Sequence, residues 1–342
     1  MPRSRHHRRL ALAAAVGMLA AGVTTAAATA QAAPQHTAAT GTAATAAAPS
    51  GLNGPYLYLG WGSPPKATDV MSATGTTQFT MAFMLSDGGC NPKWDGSRGL
   101  TGGNDQSTIN SIRSAGGDVT VSFGGWSGNK LGEKCSSASA LAGAYQKVID
   151  AYKLKSIDID IEASEFENAA VRQRVVDALK TVKQKNSGIK VYVTFGTTTS
   201  GPDSNGKDLV KRGAAAGLDV DGWAVMPFDF GQGSIDMAGA TKSAVDGLKS
   251  TVASAYGLSS DAAYRKVGFS SMNGKTDVAG ETISLNNFKD MVSYAKSHHL
   301  ARVSFWSLNR DRKCGSGTDG DACSGIDQGT YDFTKVLAGY NG

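Results

Sequence analysis

Histidine is nearly absent from the body of this 342-residue chain. Past Pro55 only His298 and His299 occur, side by side at the end of a helical pattern, where a solvated helix end is the plain reading. That scarcity argues against a Ser-His-Asp triad and against a histidine-rich metal site. Cysteine is as sparse, with four in all and no CxxC spacing, so neither a metal nor another cofactor is expected. Excess charge is missing too. The formal net charge is +5, but Arg3, Arg5, Arg8 and Arg9 account for most of it, and the remainder is nearly neutral. An electrostatic footprint for nucleic acid or an anionic membrane is therefore lacking. At 41% hydrophobic and 18% charged residues, the composition is that of a folded chain and not of a disordered one.

What is present begins with a leader. Arg3 to Arg9 form a basic stretch, Leu10 to Val23 an apolar one, and Ala30-Gln31-Ala32 a small-x-small cleavage site. Residues 1–32 thus read as a signal peptide cut near Ala32. The apolar stretch is short of the roughly 20 residues that span a bilayer. A secreted, extracellular, soluble product is expected. Residues 33–54 are rich in Ala, Thr, Gly and Pro and carry no charged side chain, the composition of a flexible linker. The folded domain is expected over residues 55–342, as a monomer. Its cysteines are Cys90, Cys135, Cys314 and Cys323. An even count in an oxidising compartment favours two disulfides, with three connectivities open. The short Cys314–Cys323 loop favours local pairing, which leaves Cys90 with Cys135.

Runs rich in β-branched and aromatic residues recur at Tyr56–Trp61, Gln78–Leu85, Asp118–Phe123, Ser156–Glu162, Ile189–Gly196, Gly222–Asp229, Lys266–Met272 and Arg302–Leu308. Between most of them lie patterns with helical spacing: Asp105–Ala115, Ala138–Tyr152, Asn168–Lys185, Gly206–Ala216, Ala238–Tyr256, Leu285–His298 and Thr330–Ala338. Such alternation predicts parallel strands joined by crossover helices. Eight units fit a (β/α)8 TIM barrel, typically about 250 residues before insertions. An open doubly wound sheet fits less well. After the first strand the chain reads Gly60-Trp61-Gly62-Ser63-Pro64-Pro65, which is not the GxGxxG phosphate loop of that fold.

The fourth strand-like run reads Ser156-Ile-Asp-Ile-Asp-Ile-Glu162. Side chains alternate faces along a strand, so Asp158, Asp160 and Glu162 share one face and the three isoleucines the other. In a barrel the isoleucines pack under the helices, and the acids step inward toward the C-terminal mouth, where active sites of this fold sit. A solvated polar face is the competing reading, but it suits an antiparallel sheet better. Neighbouring carboxylates raise one another's proton affinity, which suits a proton donor at the outer end.

These residues resemble glycoside hydrolase family 18, the chitinase family. Asp158, Asp160 and Glu162 match the last three acids of its DxxDxDxE motif, with Lys155 at the first position. Ser122-Phe123-Gly124-Gly125 is similar to its SxGG segment and Met226-Pro227-Phe228-Asp229 to its MxYD segment. Phe305-Trp306-Ser307-Leu308-Asn309-Arg310-Asp311 is similar to the segment bearing its strand-eight Trp. Cys90-Asn91-Pro92-Lys93-Trp94 resembles a bacterial subgroup without a chitin-insertion domain.

The resemblance implies roles. Glu162 would be general acid and then base, and the nucleophile would be the substrate's own acetamido oxygen, the substrate-assisted exception to the two-carboxylate scheme. Asp160 would hold the acetamido N–H and Asp158 would share a proton with Asp160. Trp306 would floor subsite −1, while Met226, Phe228 and Asp229 would line the acetamido pocket. Ser122 and Gly124 join the expected substrate-binding set. Gly124 and Gly125 would let backbone approach the sugar or the fourth strand closely. Trp126 is a candidate stacking platform, with Trp61 and Trp94 as further candidates on mouth-side loops. Phe228 stands where the family has a hydroxyl-bearing Tyr. Phe230, where related members place one instead, lacks it too. Thr194, Ser270 and Ser271 are possible replacement donors. Lys155 is expected to act on structure and not on chemistry. The implied function is a secreted chitinase retaining configuration at β-1,4 N-acetylglucosamine bonds, with chitin or its oligosaccharides as partner. An endo-β-N-acetylglucosaminidase and a non-catalytic sugar-binding barrel are the alternatives.

Overall fold

The structure, a computed structural model, describes residues 53–316 and 320–342. The expected leader, and the expected linker up to residue 52, lie outside the described residues. Eleven strands are seen: β1 (Tyr56–Tyr58), β2 (Gln78–Ser86), β3 (Pro92–Trp94), β4 (Asp118–Gly124), β5 (Ser156–Asp160), β6 (Lys190–Gly196), β7 (Gly222–Met226), β8 (Val267–Met272), β9 (Gly274–Lys275), β10 (Thr282–Ile283) and β11 (Arg302–Trp306). The helices are α1 (Ala67–Thr74), α2 (Asn104–Ser114), α3 (Leu131–Lys134), α4 (Ala138–Tyr152), α5 (Ala163–Glu167), α6 (Ala169–Lys185), α7 (Ser204–Ala216), α8 (Met237–Tyr256), α9 (Ser260–Tyr264), α10 (Leu285–His298) and α11 (Asp332–Ala338).

Eight parallel strands run in the order β1-β2-β4-β5-β6-β7-β8-β11, which is the expected barrel. β3 pairs antiparallel to β2 at the mouth, and β9 with β10 forms a separate ribbon. The seam between β1 and β11 is stitched by side chains. The Asn53 Oδ1 accepts the Val303 N–H at 2.8 Å, the Ser304 hydroxyl donates to the Gly54 carbonyl at 2.7 Å, and the Asn309 Oδ1 accepts the Tyr58 N–H at 3.2 Å. Asn53 and Gly54 therefore belong to the barrel, so the folded part begins at least two residues before the expected Pro55.

Every expected barrel strand is present, and four expected runs were too long at their C-terminal ends. Trp61, Glu162, Asp229 and Leu308 lie just past the last paired residue of their strands, where the chain leaves the sheet at the mouth. The long helices fall where the apolar spacing put them. In α4, Leu141, Tyr145, Val148, Ile149 and Tyr152 form its buried stripe, and the Ser137 hydroxyl caps its start by accepting the Ala140 N–H. Helices α1, α3, α5 and α9 span eight residues or fewer and were not foreseen. So short a segment shows too little periodicity to read.

Both expected disulfides are present, Cys90–Cys135 and Cys314–Cys323. The first ties the loop before β3 to the end of α3. No described helix is long and apolar enough to cross a membrane.

Candidate active site

Strand β5 packs between β4 and β6, with Asp158 opposite Ser122 and Tyr192, and Asp160 opposite Gly124 and Thr194. Ile157, Ile159 and Ile161 are buried in the apolar layer beneath the helices. The acids therefore face the barrel interior, as the alternation required. Glu162 lies past the ladder, but its backbone stays extended (φ −137°, ψ 170°), so it continues the same face. Ala163 then turns the chain with φ +49°.

The three acids occupy three environments. Asp158 is fully buried and accepts four contacts. The Tyr56 hydroxyl and the Ser122 hydroxyl each donate to Oδ2 at 2.7 Å, and the Thr194 hydroxyl donates to Oδ1 at 2.8 Å. The Arg302 guanidinium stands 3.7 Å from Oδ1, itself wholly buried. Three hydroxyl donors and a cation thus converge on this one carboxylate.

Asp160, one step up, is 3% exposed, and its Oδ1 finds no partner among the described residues. Burial, then the charges of Glu162 and Asp158, push its carboxyl well above the usual range. Glu162, at the top, lines the open cleft. Burial pushes its carboxyl up to about 7; the Lys130 cation opposes that and Asp229 adds to it. The row thus runs from a fully hydrogen-bonded acid at the bottom, through one whose carboxyl burial and its neighbours push up, to Glu162 at the mouth.

The cleft has a volume of about 660 Å³. Trp306 forms its floor, stacked on Phe83 at 5.5 Å with 14° between the rings, and flanked by Tyr56, Tyr58 and Trp61. Met226, Phe228, Asp229 and Trp126 also line it. Trp126 is 73% exposed and Trp61 43%, which leaves both rings open at the rim. Asp229 holds the rim loop by accepting the Val278 N–H at 3.1 Å.

Several expected placements are corrected. Ser122 is buried against Asp158 and does not line the cleft, so it supports a carboxylate and is not at the surface a substrate would meet. Gly124 has the same displacement: with φ +101°, a Cβ there would meet the Asp160 carbonyl oxygen at 2.2 Å. Of the two readings of this glycine, close approach to the fourth strand is the one seen, and Gly124 does not line the cleft. Trp94 is fully buried, its indole N–H donating to the Tyr152 hydroxyl at 2.8 Å. It anchors β3 to α4, and its place near the mouth in sequence says nothing of its depth.

Of the three possible replacement donors, only Ser270 lines the cleft. Thr194 is committed to Asp158, and Ser271 is buried against Met291. Phe230 lies off the cleft, its backbone N–H held by Glu281 at 3.1 Å. Lys155 is 77% exposed and pairs with Asp118 at 3.0 Å. His298 packs on Tyr264 at the end of α10.

The sequence reading missed Tyr56, Arg302, Lys130 and Glu165. Lys130 is buried, and that burial pulls its ammonium down despite Glu165, Glu162 and Asp160 nearby. Glu165 is likewise buried, with its carboxyl pushed up to about 8, and it accepts the Gly132 N–H at 3.1 Å. No motif singles these residues out. Among the described residues, no three His, Cys, Asp or Glu side chains gather where they could hold a metal ion.

The eight-stranded barrel gives the chain the fold of solved chitinases, one of them of glycoside hydrolase family 18. No protein-family model matches it. Among curated proteins it is 27% identical over 281 residues to a probable bifunctional chitinase/lysozyme of Escherichia coli, covering 78% of this chain and 31% of that protein. It is 27% identical over 279 residues to Endochitinase 11 of Metarhizium anisopliae, covering 78% of this chain and 53% of that one. The chain thus spans from a third to about half of these relatives. Among solved structures, active domain 2 of a chitinase from Pyrococcus furiosus superposes with a TM-score of 0.75 at 24% identity, covering 84% of this chain and 93% of that one. A family 18 chitinase from Pseudoalteromonas aurantia superposes with a TM-score of 0.52 at 12% identity, covering 74% and 93%.

Proposed function

We propose that the protein is an exported chitinase that cleaves β-1,4 bonds between N-acetylglucosamine units within the chain, retaining configuration through the substrate's own acetamido group. One observation carries this: Asp158, Asp160 and Glu162 stand in a row inside the barrel, and the outermost, whose carboxyl burial pushes up to about 7, lines the cleft.

Glu162 gives its proton to the glycosidic oxygen as the bond from that oxygen to the anomeric carbon breaks. The acetamido oxygen attacks the same carbon and closes a cyclic oxazolinium. The Glu162 carboxylate then takes a proton from water, whose oxygen opens the ring. Asp160 has an unengaged Oδ1 to accept the acetamido N–H and balance the positive ring. Because Asp158 already has its oxygens filled, it exchanges only a proton with Asp160. The internal nucleophile acts by proximity. Trp306 offers its ring to the apolar face of the sugar at subsite −1, and Met226, Phe228 and Asp229 enclose the acetamido group. Ser270 supplies the hydroxyl that Phe228 and Phe230 lack. Chitin or its oligosaccharides are the partner, met outside the cell by a monomer after removal of residues 1–32.

Glu162→Gln should lower hydrolysis of N-acetylglucosamine oligomers by roughly 10²–10⁴-fold and leave their binding intact, measured by product chromatography and calorimetry. Unchanged turnover would remove Glu162 from its role. Cellulose oligomers, which lack the acetamido nucleophile, should be inert, and the first products from chitin oligomers should be β-anomers. Binding without any cleavage by the unaltered protein would select the non-catalytic barrel, and cleavage confined to glycoprotein glycans the endo-β-N-acetylglucosaminidase.

A further inference from the structure

We propose that Arg302 is a positioning residue for this chemistry, acting through Asp158: its buried cation keeps one negative charge on the Asp158–Asp160 pair. The inference rests on the hydrolase reading above.

The geometry is specific. Arg302 opens β11 and is 0% exposed, as is Asp158, with Nη2 to Oδ1 at 3.7 Å. Its Nη2 also donates to the Thr80 hydroxyl at 3.2 Å. The guanidinium lies over the Tyr192 ring at 4.8 Å and the Tyr56 ring at 5.9 Å, so two aromatic faces hold it. Nε and Nη1 have no partner among the described residues. A buried cation with so few hydrogen bonds is costly unless an anion compensates it, and Asp158 is the carboxylate the structure pairs with it.

The groups facing Asp158 come from every side: Tyr56 on β1, Ser122 on β4, Asp160 on its own strand, Thr194 on β6 and Arg302 on β11. Tyr192 on β6 also stands opposite Asp158; of all these only Arg302 is cationic, and Lys130, the other cation nearby, acts on Asp160. Without Arg302, Asp158 and Asp160 would compete for protons as two like-charged neighbours, and the pair would hold both protons to higher pH. A pair with both protons cannot balance the positive oxazolinium.

The test is the pH dependence of kcat on N-acetylglucosamine oligomers for the unaltered protein, Arg302→Met and Arg302→Lys. In Arg302→Met the acid limb should move up by about one pH unit or more, the size expected for loss of a close opposite charge. The alkaline limb, set by Glu162, should stay. Arg302→Lys, which keeps the charge and loses the fork, should fall between. Should Arg302→Met fail to fold, Arg302→Lys decides alone, by an acid limb shifted part of the way. A merely structural role would lower kcat equally at every pH with the acid limb unmoved, and that result overturns the proposal. Carbon NMR titration of the two carboxyl groups in the same variants reads the shift without turnover. If the unaltered protein cleaves no chitin oligomer, the function reading fails while this titration still decides for or against Arg302.

Discussion

The two faces of the barrel sheet are made of different matter. Outward, toward the helices, lie Val119, Val121, Ile157, Ile159, Val191, Val193, Val225, Phe269 and Val303, all buried in one apolar layer. Inward lie Thr80, Thr120, Ser122, Ser156, Asp158, Thr194, Arg302 and Ser304, equally buried but polar and bonded to one another or to main chain. Barrels of this fold are commonly filled with branched apolar residues; here an apolar cluster of Tyr56, Tyr58, Ala82, Phe83 and Trp306 stands beside the polar groups of the interior. The outer layer supplies non-directional burial, which holds the cylinder together. The inner layer sets charge and orientation, which a hydrocarbon filling could not do. Stability and chemistry should therefore be separable by face.

Substitutions can break that division. The largest effect on stability is expected from Ile159→Ala, which empties space in the outer layer at about 2–5 kcal/mol, read by thermal unfolding, with kcat per folded molecule unchanged. A comparable fall in kcat would mean the faces are not independent. Next comes pH. Above about 7, turnover should fall by up to tenfold per unit as Glu162 loses its proton. Since burial holds its folded carboxyl above the ordinary 4.5, this group's contribution to stability is present below 4.5 and is lost as pH rises through 7. Glu162→Gln should therefore gain stability relative to the unaltered protein across that window.

Ser122→Ala removes one of the three hydroxyls on Asp158 and should cost about tenfold in kcat, the worth of a hydrogen bond to a charged group. Its midpoint temperature should fall less than that of Ile159→Ala. The smallest effect belongs to Lys155→Ala. Lys155 itself is exposed, and the buried Asp118 keeps Arg113 and the Val119 N–H, so the pair should contribute under about 1 kcal/mol and both activity and unfolding temperature should stay within error. A large loss of kcat there would give Lys155 a part in the chemistry after all.

The acid row was legible because two-residue alternation is a local property of a strand, and so was the apolar layer behind it. The mouth was read less well. Trp61, Glu162, Asp229 and Leu308 look like strand in composition, yet the paired ladder ends before them, where the chain leaves the sheet at the mouth. Depth was not legible at Trp94, whose burial depends on Tyr152 from a distant helix. Nor were Asn53, Arg302 and Asn309: an arginine at the start of a strand reads as solvent-facing, and only barrel closure turns it toward Asp158. The short helices failed for want of length. The seam failed because it joins positions about 250 residues apart, which no local pattern records.

The partners of Asp158 are drawn from the first, third, fifth and last strands of the cylinder. A chain emerging during synthesis thus holds its aspartates long before the cation that answers them exists, since Arg302 follows Asp160 by 142 residues. Catalytic competence comes with the docking of the final strand and not with the appearance of the acids, and a partly wound barrel stays silent.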